Sequence, residues 1–271
     1  MERTALVTGA SSGIGRATAA AYLEEGWSVV ATAREAAALS DLDERGAHTL
    51  TLDVTEPARC EAVVEETVDA TGRLDVLVNN AGFAQYGPIE DVPTRLVEAQ
   101  YDVNVLGPHR LIRAALPHLR ATEGTIVNVS SLSGRLSAPG MGVYSSSKAA
   151  LESLSDALRV EVEPFDVDVV VVEPGPVATQ FEDRAQSSLA DLDRSEPYAD
   201  LYESLEDWGT VGQMAAVPAE EVAATILEAG VSTDPQPRYP VGTGSQYFSL
   251  VEYVPQGVRD AVFSLVRRLA G

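Results

Sequence analysis

"TGASSGIG" occupies residues 8–15, between an apolar run and an amphipathic stretch. The run "TALVTGA" (4–10) reads as a strand, and "GIGRATAAAYLEEG" (13–26) as a helix closed by Gly26. The turn between them carries Gly9, Gly13 and Gly15. Glycine permits a tight turn and lets the backbone approach a pyrophosphate, while a helix N-terminus offers free N–H groups. The spacing is G-x-x-x-G-x-G, not the commoner G-x-G-x-x-G. Alone, such a turn can be only a turn; its strand–turn–helix context points to a dinucleotide.

The same alternation continues along the chain. "SVVATAR" (28–34), "HTLTLDV" (48–54), "LDVLVNNAG" (74–82), "TIVNVSS" (125–131), "VDVVVVEPG" (167–175) and "RYPVG" (238–242) read as further strands. Helical stretches lie at about 56–72, 93–120, 142–163 and 218–230. Strands that are apolar on both faces and alternate with helices indicate a parallel sheet covered on both sides. The expected fold is α/β, a Rossmann-type doubly wound sheet of about seven strands, with residues 1–271 as a single domain. The stretch 176–216 is polar and irregular, and a connection of that length suggests a substrate-binding lid. Residues 243–271 read as a helical tail.

Bulk numbers narrow the function. The chain has 41 acidic against 19 basic residues, a formal charge of −22. Such a surface repels phosphate backbones and anionic membranes, so nucleic acid is excluded as a partner. An acidic shell with almost no lysine fits a halophilic source, where salt screens self-repulsion; a merely acidic protein from an arginine-rich genome is the competing account. Cys60 is the sole cysteine, which points to a reducing, cytoplasmic setting. The N-terminus has no signal-peptide pattern, and the longest apolar run is too short for an integral membrane segment. His48, His109 and His118 lie in no array with metal-ligand spacing, so no metal is expected.

The end of the second strand bears on the nucleotide. Dinucleotide folds for NAD place an acidic residue there to hold the ribose 2′-OH. Here the strand ends in Ala33 and Arg34. An arginine grips a 2′-phosphate bidentately. NADP(H) is therefore favoured, and NAD(H) stays open because one arginine does not exclude dual use. Asp53, at the end of the third strand, is placed to accept from an adenine amino group or to fill a turn.

Lys148 is the only lysine of the chain; the other 18 basic residues are arginines. Tyr144 lies four residues before it, so a helix projects both from one face. At an effective dielectric of about 20 and a separation of ~4 Å, an ammonium attracts a phenolate by ~4 kcal/mol. That would move a tyrosine from about 10 toward neutrality, where it can exchange a proton with a substrate oxygen. Arginine, with its planar fork, is a poor substitute for a compact charge.

With these residues in order, the chain resembles the short-chain dehydrogenase/reductase family in its shorter single-domain branch. The resemblance covers nearly the whole chain: "TGASSGIG" (8–15), "LDV" (52–54), "NNAG" (79–82), Asn104 in "VNVLG", "VNVSS" (127–131), "YSSSK" (144–148) and "PGPVAT" (174–179). It implies that Ser131, 13 residues before the tyrosine, hydrogen-bonds the substrate oxygen. It implies Tyr144 as general acid for reduction and base for oxidation. It makes Lys148 the holder of the nicotinamide ribose and Asn104 the anchor of a water in a proton relay. The cofactor positions it implies are Gly9, Ser11, Ser12, Gly13, Ile14, Gly15, Arg34, Asp53, Val54, Asn80, Ala81, Gly82, Tyr144, Lys148, Pro174, Gly175, Val177 and Thr179. The end segment is similar to that of hydroxysteroid and retinol dehydrogenases. Members associate through the helices near 93–120 and 142–163, so a homodimer or homotetramer is expected.

The expected activity is an NADP(H)-dependent interconversion of a small-molecule alcohol and its ketone or aldehyde. Phe83, Leu136, Met141, Val143, Phe181, Trp208 and Met214 form an apolar inventory that favours a hydrophobic substrate. Two other readings stay open: a non-catalytic NADP(H) redox sensor, and a non-redox epimerase or dehydratase of the same superfamily.

Overall fold

A computed structural model describes residues 2–214, 216–242 and 254–261. Its centre is a sheet of seven parallel strands in the order β3-β2-β1-β4-β5-β6-β7. They are β1 (Thr4–Val7), β2 (Ser28–Ala33), β3 (His48–Thr51), β4 (Val76–Asn79), β5 (Thr125–Val129), β6 (Asp168–Pro174) and β7 (Arg238–Val241). The strand order reverses between β1 and β4, which opens a crevice at the C-terminal strand ends.

Side chains alternate between two cores. Ala5, Val7, Val29, Ala31, Val76, Val78, Val170 and Val172 face one; Leu6, Val30, Leu77 and Val169 face the other. Helices α1 (Gly13–Glu24) and α9 (Ala219–Val231) cover the first face, with the short α2 (Ser40–Glu44) beside α1. Helices α3 (Pro57–Thr71), α5 (Gly107–Thr122) and α6 (Gly142–Val162) cover the second. Parallel strands buried on both faces read as near-continuous apolar runs for this reason.

Two expectations need correction. The helix expected over 93–120 is interrupted: α4 (Thr94–Tyr101) and α5 are separated by a π turn at Asp102–Leu106. The wider turn lets buried Asn104 exchange hydrogen bonds with the Phe83 backbone. The stretch 176–216 is not irregular. It holds α7 (Gln180–Ser187) and α8 (Ala199–Met214). Ala185, Leu189, Leu192, Tyr202 and Leu205 are buried there against Tyr86, Val92 and Tyr144. Asp91 accepts from Ser195 and from Tyr202 Oη at 2.8 Å, tying this segment to the loop after β4. The tail expected at 243–271 falls mostly outside the described residues; 256–261 are helical.

A buried ion cluster holds the β7 edge. Glu173 on β6 is 1% exposed and accepts from Arg135 Nε at 2.8 Å and Arg238 Nη1 at 2.7 Å. Arg238 also reaches Glu152 at 2.8 Å and Asp156 at 2.6 Å. Removing one partner leaves buried carboxylates uncompensated. Arg238 is 24% exposed, so Arg238→Ala should cost about 3 kcal/mol, the low end for breaking a buried pair. Urea unfolding checks this, and adding Glu152→Gln should restore part of the loss. A cost under about 1 kcal/mol would show that water screens the cluster.

Candidate active site

The glycine turn forms the floor of a cavity of about 1180 Å³ at the C-terminal strand ends. Gly9 and Gly13 adopt φ of +67° and +53°, a region that side chains disfavour. A Cβ on Gly13 would lie 2.9 Å from Thr179 Cγ2, so the turn and the N-terminus of α7 pack closely. Ser12, the N-cap of α1, makes no side-chain cap, and the first turn of α1 has no acidic residue. Its leading amides are thus not met by a capping side chain and suit an anionic group. The donor set and the space fit a dinucleotide.

Of the cofactor positions expected from the sequence, all but Gly15 line the cavity. Gly15 is not in the wall. A Cβ there would collide with Gly9 O and Asn80 Nδ2, so the glycine serves helix–turn packing. Arg34 stands exposed at the rim, past the end of β2, and forms no ion pair among the described residues. Asp53 takes the turn role: its Oδ1 accepts from Thr55 N at 2.9 Å and Thr55 Oγ1 at 2.7 Å. These bonds, with the Thr55 amide foremost, hold its carboxyl below the usual range.

The expected catalytic residues divide in the same way. Ser131, Tyr144 and Lys148 line the cavity, while Asn104 lies behind it. Asn104 Nδ2 donates to Phe83 O at 3.0 Å and to Ser147 Oγ at 3.1 Å. Its Oδ1 would lie 3.1 Å from a Cβ on Gly82, whose nearest other neighbours include Lys148 Nζ. Ser131 caps the short turn after β5, accepting from Ser133 N at 3.1 Å.

Tyr144 is 6% exposed, with its ring 5.8 Å from Phe181 and 6.4 Å from Tyr86. Burial pushes its phenol up to about 12; the Ser131 hydroxyl opposes this and the Glu182 charge adds to it. The expected fall toward neutrality is therefore corrected. Lys148 Nζ lies 5.9 Å from the centre of the tyrosine ring and donates to Val129 O at 2.8 Å. Its own burial draws it down to about 8, opposed by the Glu152 charge. Burial and Glu182 raise the phenol and only the Ser131 hydroxyl lowers it, so burial governs the tyrosine.

Three site residues escaped sequence reasoning. Glu152 continues the four-residue spacing of Tyr144 and Lys148 on α6 and accepts from Ser130 Oγ at 2.7 Å, a signal the spacing could have given. Tyr86 and Glu182 meet through a 3.1 Å hydrogen bond across 96 residues, which nothing local indicates. Phe83, Leu136, Met141 and Phe181 line the cavity as the apolar inventory expected; Val143 is buried beside it. The side chains of Trp208 and Met214 lie outside the described residues.

Comparison with known proteins agrees with this geometry. Residues 3–190 match the family model of short chain dehydrogenases. The chain is 36% identical to the NADPH-dependent 3-dehydrocapnine reductase of Ornithobacterium rhinotracheale, covering 96% of both chains. It is 37% identical to the 3-ketodihydrosphingosine reductase of Bacteroides thetaiotaomicron, over 73% of this chain and 72% of that one. A solved short-chain dehydrogenase from Streptomyces avermitilis superposes with a TM-score of 0.83 at 34% identity, covering 100% of this chain and 98% of the other. The chain belongs to the short-chain dehydrogenase/reductase family and is an oxidoreductase. No described helix is long and apolar enough to cross a membrane.

Lys148 makes a testable contribution to stability. Its folded pKa of about 8 lies below the ordinary 10.5, so between these values the unfolded chain holds more protons. Stability from this group therefore rises with pH across that window. Tyr144, raised from 10.0 to about 12, acts oppositely only above its ordinary value. Urea midpoints should show the wild type gaining on Lys148→Met as pH climbs from about 8 to 10; a gap independent of pH would mean that Lys148 is solvated.

Proposed function

We propose that the chain interconverts a hydrophobic alcohol and its ketone or aldehyde with NADP(H), with Tyr144 as the proton-carrying group. The observation that carries this reading is the meeting of Ser131, Tyr144 and Lys148 in one cavity with the glycine turn. The two relatives named as reductases, one of them NADPH-dependent, support the cofactor and the direction. Arg34 at the rim, with Ala33 where NAD folds carry a carboxylate, supports a 2′-phosphate contact.

A nicotinamide held against Tyr144, Lys148 and the 174–179 segment would supply the hydride. The chain does the rest. Ser131 and Tyr144 donate to the oxygen on which negative charge grows. A phenol held up to about 12 is fully protonated at neutral pH, which suits the acid of a reduction. Lys148 stands to hold the ribose and replenish charge, and Asn104 fixes the Phe83 backbone and the Ser147 hydroxyl behind it. Val177 and Thr179 line the cavity with Pro174 and Gly175 and suit a carboxamide. The segment with α7 and α8 serves as the lid, and the whole chain as one domain. Leu154 and Val160, left exposed on α6, support a homo-oligomer joined through that helix.

NADPH consumption against aldehydes, ketones, steroids and retinal tests the reading. Tyr144→Phe should cut turnover by about 10²–10⁴-fold with NADPH binding retained. Binding without turnover on any carbonyl would favour a redox sensor. Arg34→Asp should move coenzyme preference toward NADH by about tenfold or more; unchanged NADPH affinity would place the phosphate contact elsewhere.

A further inference from the structure

A carboxylate stands beside the reacting tyrosine with no cation against it. Glu182, on α7, lines the cavity together with Tyr144 and Phe181. Tyr86 Oη donates to its Oε2 at 3.1 Å, and Gln186 Nε2 donates to its Oε1 at 3.1 Å. Both donors are neutral. Among the described residues Glu182 forms no ion pair. Arg184, the nearest arginine in sequence, also lines the cavity but is exposed, and its Nη2 donates to Gln180 Oε1 at 3.1 Å, not to Glu182.

The two donors, Tyr86 from the loop after β4 and Gln186 one turn further along α7, hold the carboxylate in place. Its charge reaches the chemistry: it raises the pKa of Tyr144 and that of Tyr86. A fixed negative charge there opposes the negative charge that develops on a substrate oxygen during reduction. For a neutral ketone this is a pure cost. For a substrate with an ammonium group near its carbonyl, the same carboxylate becomes a binding partner, and the ammonium offsets the growing oxyanion.

We propose that Glu182 recognises a cationic nitrogen on the substrate, so that the natural carbonyl compound is an amino ketone with an apolar chain. This rests on the reductase reading above. The ammonium sits between Glu182 and the carbonyl held by Ser131 and Tyr144. The carbon chain runs along Phe83, Leu136 and Met141, which line the same cavity. The reaction balances as the proposed activity does. Hydride from the reduced cofactor reaches the carbonyl carbon, the Tyr144 proton reaches its oxygen, and an amino alcohol leaves.

The test uses the full chain with NADPH at neutral pH and three long-chain ketones of equal length. One carries an α-amino group, one the same amine acetylated, and one an α-hydroxyl. The charged amine should exceed both neutral ketones in kcat/KM by about tenfold or more. Glu182→Gln should bring that ratio near one. Tyr86→Phe, which removes one anchor of the carboxylate, should lower the ratio in part and serves as the second variant if Glu182→Gln does not fold. No preference for the amine, or a preference that survives Glu182→Gln, overturns the proposal. So does an equal change for all three ketones, which would place the carboxylate's action on the cofactor or the oxyanion. Reduction of the neutral ketones alone sinks the amine reading and leaves the reductase reading standing. No NADPH oxidation with these ketones or any other carbonyl removes both.

Discussion

Everything in the site is referenced to one polar latch between β1 and β4. Thr8 Oγ1 donates to Val78 O at 3.1 Å and accepts from the amides of Asn80 and Ala81, each at 3.0 Å. Asn80 Nδ2 returns to Thr8 O at 2.8 Å and Gly9 O at 3.2 Å. At the point where the strand order reverses, two strand ends leave backbone groups that no ladder can satisfy. Two short side chains satisfy them and fix the glycine turn against the end of β4. The close approach of Gly9 to Ala81, where an added Cβ would lie 2.9 Å from Ala81 Cα, follows from that latch. A second chain of amides and hydroxyls, Asn79 to Asn128 to Ser155, ties β4 to β5 and then to α6, the helix that carries Tyr144 and Lys148. The floor and the wall that carries Tyr144 and Lys148 are thus connected by hydrogen bonds.

Charge in this molecule is arranged in two unlike ways. On the surface, acidic side chains far outnumber basic ones, and pairs such as Arg45–Glu24 and Arg194–Glu206 are solvent-exposed and weak. Behind the site, a few charges are buried and strongly coupled. Glu152 is held above the usual carboxylate range, chiefly by burial and against the Ser130 hydrogen bond. It nonetheless favours the charged form of Lys148 one helical turn away. The Glu152 charge opposes the burial that draws Lys148 down, and the Lys148 Nζ donates to the Val129 carbonyl.

The sheet was legible because its strands are apolar on both faces. A run such as "VDVVVVEPG" has no half-exposed alternative. The glycine turn, Ser131, Tyr144 and Lys148 were legible as local patterns, and the structure brings them together. What local pattern could not carry was long-range polar pairing. The π turn at Asp102–Leu106 exists to serve Asn104, whose partners lie 21 and 43 residues away. Helices α7 and α8 were hidden by polar composition: among the described residues their buried anchors are widely spaced, and the tie through Asp91 spans more than a hundred residues. Gly15 shows why pattern alone is ambiguous, because packing against Gly9 and Asn80 and contact with a ligand demand the same residue type. The tyrosine pKa erred because spacing gives proximity, whereas desolvation depends on everything else packed around the ring.

The solitary lysine has one more consequence. Lys148 is 6% exposed and lies within α6, with its side chain directed at the β5 backbone. A lysine-specific protease meets only one cleavage position in the chain, and that position is hidden while α6 remains docked on the sheet. Cutting there requires α6 to come away. The rate of that single cut, read as two fragments on a gel, is then a direct clock for opening of the site, distinct from fraying at the surface.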